Sequence, residues 1–382
     1  MLIYVAMYLC SFVLTWVAEN KKKQYSTAKS KKNLAIFILC VVGIYLLLTA
    51  FSCFRYGIGY DYLSEERLIR FYIGSGFEPY RKEALNIMLM EWIKATNMDV
   101  HFFFVFYALF TNAAFLIAIF ICRDNRFIIR MFVYLFYALY ISSMNQVRQH
   151  FGIALGMLAV SIALNYRGFW YGVLSFLIAS VSFLSHYSEV VNLLFLLFIY
   201  VFRNFNKHIK MKYLIYICIG CVVFAPMLLE IVRSILLHTK LLYKYAGYIS
   251  SNDNSALDYI RFFGSLYIFI IPVIYLIYFI DNMTSNSDYF SKLVFVYIAA
   301  SLVCMFGSLV YNNLMLADRT RTMLYGLELF VFPYMVSYME KRKKFSFKYA
   351  IPLLMIVMNL GTLFVGKMYP YRTIFNKDLL IY

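Results

Sequence analysis

Apolar runs long enough to cross a lipid bilayer follow one another along almost the whole chain. A spanning helix needs about 20 mostly apolar residues, because the hydrocarbon core is about 30 Å thick. Twelve runs meet or nearly meet that length: 2–18, 34–54, 100–121, 128–143, 147–164, 169–184, 187–202, 213–232, 260–280, 292–311, 322–338 and 349–366. Only 14% of the residues are charged, against about 25% in soluble domains. The sequence therefore predicts an all-α membrane protein with about 12 transmembrane helices, in a single polytopic domain over residues 1–382.

The basic residues predict the orientation of these helices, since Lys and Arg collect in cytoplasmic loops. If loop 19–33 lies inside and the loops alternate, the inner loops hold 20 Lys and Arg in 60 residues and the outer segments hold 16 in 109. We therefore expect both termini and the longest loop, residues 55–99, on the extracytoplasmic side. Orientation then accounts for the net charge of +17, and nucleic acid is not an expected partner.

Four Arg residues on the predicted outer side lie at helix ends, where orientation does not require them. They are Arg55, Arg148, Arg319 and Arg321. One interpretation is that their long side chains reach the lipid headgroups. The other is that they share an anion site, because the planar guanidinium binds phosphate oxygens bidentately.

The densest polar cluster between two spanning runs is the segment NQVRQH, residues 145–150. On a helix, Asn145, Arg148 and Gln149 share one face by their i, i+3 and i+4 spacing, and His150 points to another side. A polar face at that depth must contact protein or a wet cavity. An ordinary polar turn between two helices is the alternative.

Two further polar clusters flank predicted spans on the same side. The segment SHYSE, residues 185–189, contains His186, which is able to act as a base near neutral pH, with Glu189 beside it. The segment RYGIGYDY, residues 55–62, contains Asp61, a candidate carboxylate base. A plain turn at the helix end is again the alternative for both clusters.

Metal and nucleotide chemistry have no recognisable motif in this sequence. The five His residues include no pair at i, i+4 spacing, and there is no DxD, P-loop, GxGxxG, HExxH or GxSxG. We therefore expect neither a bound metal nor a cofactor. Any chemistry then rests on the substrate and on ordinary side chains.

Taken in order, these clusters resemble those of the EpsG family of Wzy-like polysaccharide polymerases, which make O-antigen, capsule or exopolysaccharide. Similar proteins carry an Arg-x-Gly-x-Gly-x-Asp-Tyr stretch after the second helix, here Arg55 to Tyr62, and then a Glu-Pro, here Glu78-Pro79. An N-x-x-R-Q helix start follows, here Asn145 to Gln149, and a His-x-Ser turn, here His186 to Ser188. The similarity covers roughly residues 40–200, and the second half matches in hydropathy and in its late outer Arg pair.

The resemblance implies a GT-C-like integral membrane glycosyltransferase. Such an enzyme transfers a growing glycan from undecaprenyl diphosphate to a lipid-linked oligosaccharide repeat unit, at the outer face of the bacterial cytoplasmic membrane. The expected catalytic residues are Arg148, Asp61 and His186. The expected substrate-binding residues are Arg55, Arg319, Arg321, Asn145, Gln149, His150, Glu78 and Glu189. Besides the lipid-linked substrate and the bilayer, a chain-length regulator is a further candidate partner.

Two other functions suit a bundle of about twelve helices. A flippase or transporter for lipid-linked repeat units is one, although the sequence has no internal repeat and its polar residues lie at the outer edge rather than at the midplane. A membrane O-acyltransferase, with His186 or His150 as its base, is the other, and it would need a route for an acyl donor. A flippase defect would leave the repeat unit on the inner face, and an acyltransferase defect would remove ester groups without shortening the polymer.

Overall fold

Helices make up nearly all of the regular structure, because a backbone in lipid has to satisfy its hydrogen bonds within its own segment. The computed structural model describes residues 2–59, 61–75, 83–137, 139–206, 208–224, 270–277, 288–310, 324–341, 345–365 and 367–381, with 227, 231, 234, 235, 237, 238 and 322. It forms two compact units, residues 1–193 with 352–382 (unit 1) and residues 194–351 (unit 2).

The helices run in chain order with short connections. They are α1 (Leu2–Ala28), α2 (Lys31–Cys53), α3 (Tyr62–Ser75), α4 (Ala84–Thr96), α5 (His101–Phe120), α6 (Phe127–Phe136), α7 (Leu139–Asn145), α8 (Val147–Asn165), α9 (Phe169–Ser185), α10 (Val190–Phe205), α11 (Met211–Val223), α12 (Tyr289–Val310), α13 (Glu328–Lys341) and α14 (Phe345–Val365). Short 3₁₀ turns, Tyr187–Glu189 and Tyr325–Leu327, precede α10 and α13. The strands β1 (Tyr371–Thr373) and β2 (Asn376–Ile381) form an antiparallel hairpin.

Five helical segments in the described part of the chain are long and apolar enough to cross a membrane. They are Leu2–Ala28, Lys31–Cys53, His101–Phe120, Val147–Asn165 and Tyr187–Phe205. A sixth span results if α6 and α7 are taken together, with a bend of 40° between them. The protein is therefore a membrane-embedded helical protein. The count of twelve stays a prediction, because several of the later runs fall partly outside the described residues.

The segment 19–33, predicted as an inner loop, is helical for most of its length, since α1 continues to Ala28. A salt bridge of 2.6 Å joins Glu19 to Lys23 one turn later, and such i, i+4 pairs stabilise a helix. The chain turns only at Lys29, which has a left-handed φ of 51°. Polar residues thus extend the first helix beyond its apolar run.

The 55–99 segment folds back onto the bundle as α3 and α4. The second of these helices is amphipathic, with one mostly apolar face buried. Its buried face, with Ile93, packs in one cluster with Tyr62 of α3 and Phe103 of α5. The helix ends at Asn97, whose φ of 54° closes it in the left-handed conformation. This packing fixes the chain just before α4 against the starts of α5 and α8.

Unit 1 has two polar ends, which its long helices connect. At one of them, the Arg148 end, the chain leaving α2 is tied to the C-terminal segment. Tyr56 N donates to Arg372 O at 3.0 Å, and Gly59 N donates to Lys367 O at 3.1 Å. Segments that were predicted to lie on the outer side therefore meet at this end.

The opposite end, the Lys22 end, collects segments that were predicted to lie inside. Ile128 N donates to Oε2 of Glu19 at 2.9 Å, and Arg123 N donates to Oδ1 of Asn165 at 2.9 Å. α1 is thus joined to the start of α6, and the end of α5 is joined to the end of α8. These contacts agree with the predicted alternation of loops in this part of the chain.

Unit 2 contains α11, α12 and α13, of which α11 and α12 contact each other. Its most buried charged residue in the described part is Glu328, at the start of α13. Glu328 accepts hydrogen bonds from the hydroxyls of Tyr275 at 2.8 Å and Tyr297 at 2.5 Å. Two phenol donors thus satisfy a carboxyl group that would otherwise be costly in an apolar interior.

Candidate functional site

Four chain segments bring ionisable side chains together at the Arg148 end. Glu65 lies in the first turn of α3, and Glu83 is the N-cap residue of α4. Arg148 is the second residue of α8, and His186 follows the end of α9. Carboxylates are favoured at helix starts, because the unpaired N–H groups there carry partial positive charge. We call these four side chains the Arg148 cluster.

Arg148 lies between the two carboxylates of this cluster. Its Nη1 is 3.1 Å from Oε2 of Glu83, and its Nη2 is 3.4 Å from Oε1 of Glu65. The Arg148 side chain is 13% exposed, whereas that of Glu83 is fully buried. Both distances exceed the roughly 2.7–2.9 Å of a tight charge-assisted hydrogen bond. The guanidinium is therefore oriented by its partners without being closely bound to either.

Glu83 connects Arg148 to His186. Its Oε1 lies 3.5 Å from Nδ1 of His186, and its Oε2 accepts from Nδ2 of Asn86 at 3.5 Å. Asn86 in turn accepts a hydrogen bond from the hydroxyl of Tyr107, a buried residue of α5. The buried carboxylate of Glu83 thus contacts a buried amide, that of Asn86, and also faces both the guanidinium of Arg148 and the imidazole of His186.

Glu189 is buried next to the His186 turn. It accepts hydrogen bonds from Nδ2 of Asn192 at 2.8 Å and from Oγ of Ser188 at 3.3 Å. Two glycines of α8 make room for these side chains. A Cβ at Gly152 would be 2.7 Å from Cγ of Glu189, and a Cβ at Gly156 would be 2.0 Å from Nδ2 of Asn192. The small residues of α8 therefore position the turn that carries His186.

Asp61 and Asn145 are brought together by the turn after α2. The backbone N of Asp61 donates to Oδ1 of Asn145 at 2.8 Å. Gly59, with a φ of +96°, passes so close that a Cβ there would be 2.9 Å from the same Oδ1 atom. Only glycine fits this conformation and this approach. Asn145 thus fixes the turn that presents Asp61.

Arg55 lies apart from the Arg148 cluster. It is 1% exposed, and its Nη1 donates to the carbonyl of Ser52 at 2.6 Å. Its guanidinium carbon lies 5.9 Å from the ring centre of Tyr62 and 5.7 Å from that of Phe104, within the range of cation–π attraction. Burial lowers the pKa of the guanidinium. Its backbone also forms a bridge to Thr373 of β1, so it links α2 to the C-terminal hairpin.

The family comparison covers nearly the whole chain. The model of the EpsG family matches residues 36–373. The chain belongs to the EpsG family. This is a family of Wzy-like polymerases. No curated protein and no solved structure matches the chain.

Within this EpsG-family protein, the structure brings some of the predicted site residues together. Arg148 and His186 share one cluster through Glu83, and Glu189 lies in the turn beside them. Asp61 and Asn145 meet each other at the same end of unit 1. Three predicted residues, Glu78, Arg319 and Arg321, lie outside the described residues.

Gln149 and His150 follow Arg148 on α8, and both are buried. Within the described part of the chain, neither amide atom of Gln149 has a hydrogen-bond partner, and Nε2 of His150 has none either. Nδ1 of His150 lies 3.3 Å from the carbonyl of Gln146. A buried polar group without a partner costs about 1–3 kcal/mol. These groups remain candidates for contact with a bound molecule.

Two carboxylates of the Arg148 cluster, Glu65 and Glu83, were missed by the sequence reasoning. The sequence indicated only that this region is rich in acidic residues, since seven of the 19 fall within residues 55–99. That enrichment indicates an acidic segment but does not single out any member. The contacts with Arg148 depend on how α3 and α4 pack against α8.

Proposed function

We propose that this EpsG-family protein polymerises a polysaccharide by transferring a growing glycan from undecaprenyl diphosphate to a lipid-linked oligosaccharide repeat unit. The observation that carries the proposal is the Arg148 cluster, in which a partly exposed guanidinium and a partly exposed imidazole share the buried carboxylate of Glu83. A cation for the leaving diphosphate and a base for the acceptor hydroxyl are the two groups that this reaction needs.

Arg148 is the proposed contact for the leaving diphosphate. A guanidinium has five N–H donors, and the contacts with Glu65 and Glu83 engage its two Nη atoms. The remaining donors have no other partner among the described residues, so they are able to bind phosphate oxygens as the sugar–oxygen bond breaks. The N-terminus of α8 would also favour binding of the diphosphate, because the N–H groups at a helix N-terminus attract an anion. Arg55, Arg319 and Arg321 stay proposed as further diphosphate contacts.

His186 is the proposed base, with Asp61 as the alternative. The acceptor hydroxyl loses its proton to the imidazole while its oxygen bonds to the anomeric carbon, and the bond from that carbon to the diphosphate oxygen breaks. Glu83 faces Nδ1 of His186, so it orients the ring and stabilises the positive charge that the ring acquires. Gln149, His150, Glu78 and Glu189 stay proposed as contacts for the sugars.

We place the Arg148 end on the outer face of the bacterial cytoplasmic membrane. The support is the basic character of the opposite end, where Lys21–Lys23 and Arg123 lie on segments of the kind that stay in the cytoplasm. The substrate arrives by diffusion in the bilayer, and its diphosphate is the leaving group. The reaction therefore requires no nucleotide sugar. A GT-C-like arrangement of about twelve helices and a chain-length regulator as partner belong to the same proposal.

The test is polymerisation by the purified protein with one defined lipid-linked repeat unit, read out as a ladder on a gel. Arg148→Ala removes the proposed diphosphate contact, so we expect no long polymer and unreacted repeat units. Arg67→Ala is the matched control: this Arg is exposed on α3 and lies outside the cluster, so we expect a normal ladder. His186→Ala is compared in the same way with His208→Ala, which alters an exposed His between α10 and α11.

A full-length ladder from Arg148→Ala would refute the proposal. In cells, the same variant distinguishes the rival functions. Loss of a flippase leaves single repeat units on the inner leaflet, where an added outer-face glycosidase does not reach them. Loss of an O-acyltransferase leaves polymer of normal length without its ester groups. Loss of the proposed polymerase leaves single repeat units on the outer leaflet.

A further inference from the structure

A cavity of about 470 Å³ opens at the Lys22 end of unit 1, away from the Arg148 cluster. It is lined by the last turns of α1, the first half of α2, the end of α5 and Tyr166 after α8. Its two charged side chains are those of Lys22 and Arg123, and Ser26, Asn125 and Tyr166 contribute polar groups. The proposed polymerisation reaction uses none of these residues.

The two cations at this cavity keep their charge available. Arg123 lies over the ring of Tyr166 at 4.8 Å, and Lys22 lies over the ring of Phe37 at 4.9 Å. Neither cation forms an ion pair with a carboxylate in the part of the chain that the structure describes. Aromatic faces orient a cation without neutralising it. The cavity is therefore electropositive.

The carboxylates nearest to these cations in the sequence are engaged by other partners. Glu19 pairs with Lys23 at 2.6 Å. Asp124, next to Arg123, binds Arg130 through both of its oxygens at 2.6 and 2.8 Å. Because these contacts occupy both acids, an anion entering the cavity has no local carboxylate to displace.

The walls of the cavity are apolar and open toward the surface of the bundle. Ile38 and Val42 of α2 and Ile117 of α5 line it and are 45–50% exposed. The same face of α2 continues one turn further at Leu46, which is 60% exposed, and that of α5 continues at Phe110, which is 49% exposed. Two exposed apolar strips, each roughly 10 Å long at 1.5 Å per residue, thus extend from the cavity along antiparallel helices.

We propose that this cavity binds one anionic phospholipid from the surrounding leaflet. The phosphate contacts Lys22 and Arg123, and an acyl chain lies along the strip formed by Val42 and Ile117. Basic pockets between spanning helices on the cytoplasmic side are suited to anionic headgroups. A zwitterionic lipid is disfavoured, because its own ammonium group would meet the same two cations.

The test is native mass spectrometry of the full-length protein in detergent, titrated with phosphatidylglycerol and, separately, with phosphatidylcholine. We expect one phosphatidylglycerol to bind at least about tenfold more tightly than phosphatidylcholine. The double variant Lys22→Gln/Arg123→Gln should lose this affinity roughly 10- to 30-fold, since each cation near an anionic lipid contributes about a factor of five.

The matched control is Lys31→Gln/Arg167→Gln. It removes one Lys and one Arg from exposed positions that do not line the cavity, so phosphatidylglycerol binding should change less than about threefold. A second pair of variants leaves the charge unchanged. Val42→Trp fills the cavity and should lower lipid occupancy, whereas Leu39→Trp, at an exposed position of α2 outside the lining, should not.

Three results would overturn the proposal. One is equal binding of the two lipids by the unaltered protein. Another is an equal loss of phosphatidylglycerol in the double variant and its charge-matched control. The third is competition by inorganic phosphate as effective as that by a soluble short-chain phosphatidylglycerol, because the acyl chain would then contribute nothing. Each readout is binding, so it is independent of polymerisation.

Discussion

Replacing Glu83 with Gln removes one negative charge from a fully buried position and changes the side-chain shape very little. In the structure this carboxylate faces Arg148 at 3.1 Å and His186 at 3.5 Å. The amide oxygen of Gln is still able to accept one hydrogen bond. The –NH₂ group that replaces the other oxygen instead presents a donor to one of two partners that are themselves donors. One of the two attractive contacts, with Arg148 or with His186, is therefore replaced by a repulsion between two donors.

The size of this effect follows from the burial of the pair. Removing one partner of a buried ion pair costs about 3–5 kcal/mol of unfolding free energy. Arg148 keeps Glu65 at 3.4 Å, so we expect the lower end, about 3 kcal/mol. The effect on catalysis is separate: a reacting group displaced by about 1 Å can slow a reaction about 100-fold. We expect kcat to fall by about that factor with KM little changed.

The assay is polymerisation with a defined lipid-linked repeat unit, with thermal unfolding in detergent followed in parallel. Glu66→Gln is the control, since Glu66 directly follows the cluster residue Glu65 in the sequence but pairs with the exposed Arg70 at 2.7 Å. Such surface pairs contribute about 0–1 kcal/mol, so this variant should polymerise normally. A wild-type rate for Glu83→Gln, or an equal loss in both variants, would refute the role assigned to Glu83.

Three further changes test other parts of the structure. Arg148→Lys keeps the charge but loses the planar fork that contacts two separate carboxylates, so the rate of polymerisation should fall about 100-fold. Gly156→Ala places a Cβ 2.0 Å from a side-chain amide of the neighbouring helix and should lower the free energy of unfolding by about 1–3 kcal/mol, whereas Gly74→Ala, with open space around it, should not destabilise. Asp124→Asn should cost about 1 kcal/mol at neutral pH, because buried Arg130 loses its bidentate partner although Asp124 itself is partly exposed to water. Burial opposes ionisation of Asp124, but the contacts with Arg130 lower its pKa overall, so the stability difference from wild type is present above pH of about 4 and should vanish as the pH falls through the lowered pKa.

The spanning helices are the part of the fold that the sequence predicts best, because apolar length is a local property. The runs at 34–54 and 147–164 correspond closely to the helices Lys31–Cys53 and Val147–Asn165. The run at 128–143 instead breaks into two helices on either side of Tyr137, and no local signal such as Pro marks the break. The C-terminal hairpin was not predicted, because its strands are short and carry no distinctive local pattern. Its bridge to Arg55 is a tertiary contact, which a local pattern does not reveal.

The candidate site was predictable only in part. Arg148 and His186 stand out as charged or titratable residues beside apolar runs. Glu83 does not, because its importance arises from a contact with a residue 65 positions further along the chain. Arg55 shows the opposite case. At a helix end its sequence context resembles that of Arg148, and only the folded chain shows its guanidinium enclosed by aromatic rings.

In the proposed reaction, the pairing of Arg148 with two carboxylates bears on how the diphosphate would enter the site. Together Glu65, Glu83 and Arg148 carry one net negative charge, so the cluster does not attract an anion by charge alone. It offers N–H donors in a fixed direction, held by a contact of 3.1 Å to Glu83 and a longer one of 3.4 Å to Glu65. Phosphate oxygens that approach these donors would compete with Glu65, the more distant of the two carboxylates. As that contact is exchanged for the diphosphate, Glu83 keeps the guanidinium aligned and still faces His186. In the proposed reaction, Glu83 would thus couple the transfer of the proton to His186 with the departure of the diphosphate.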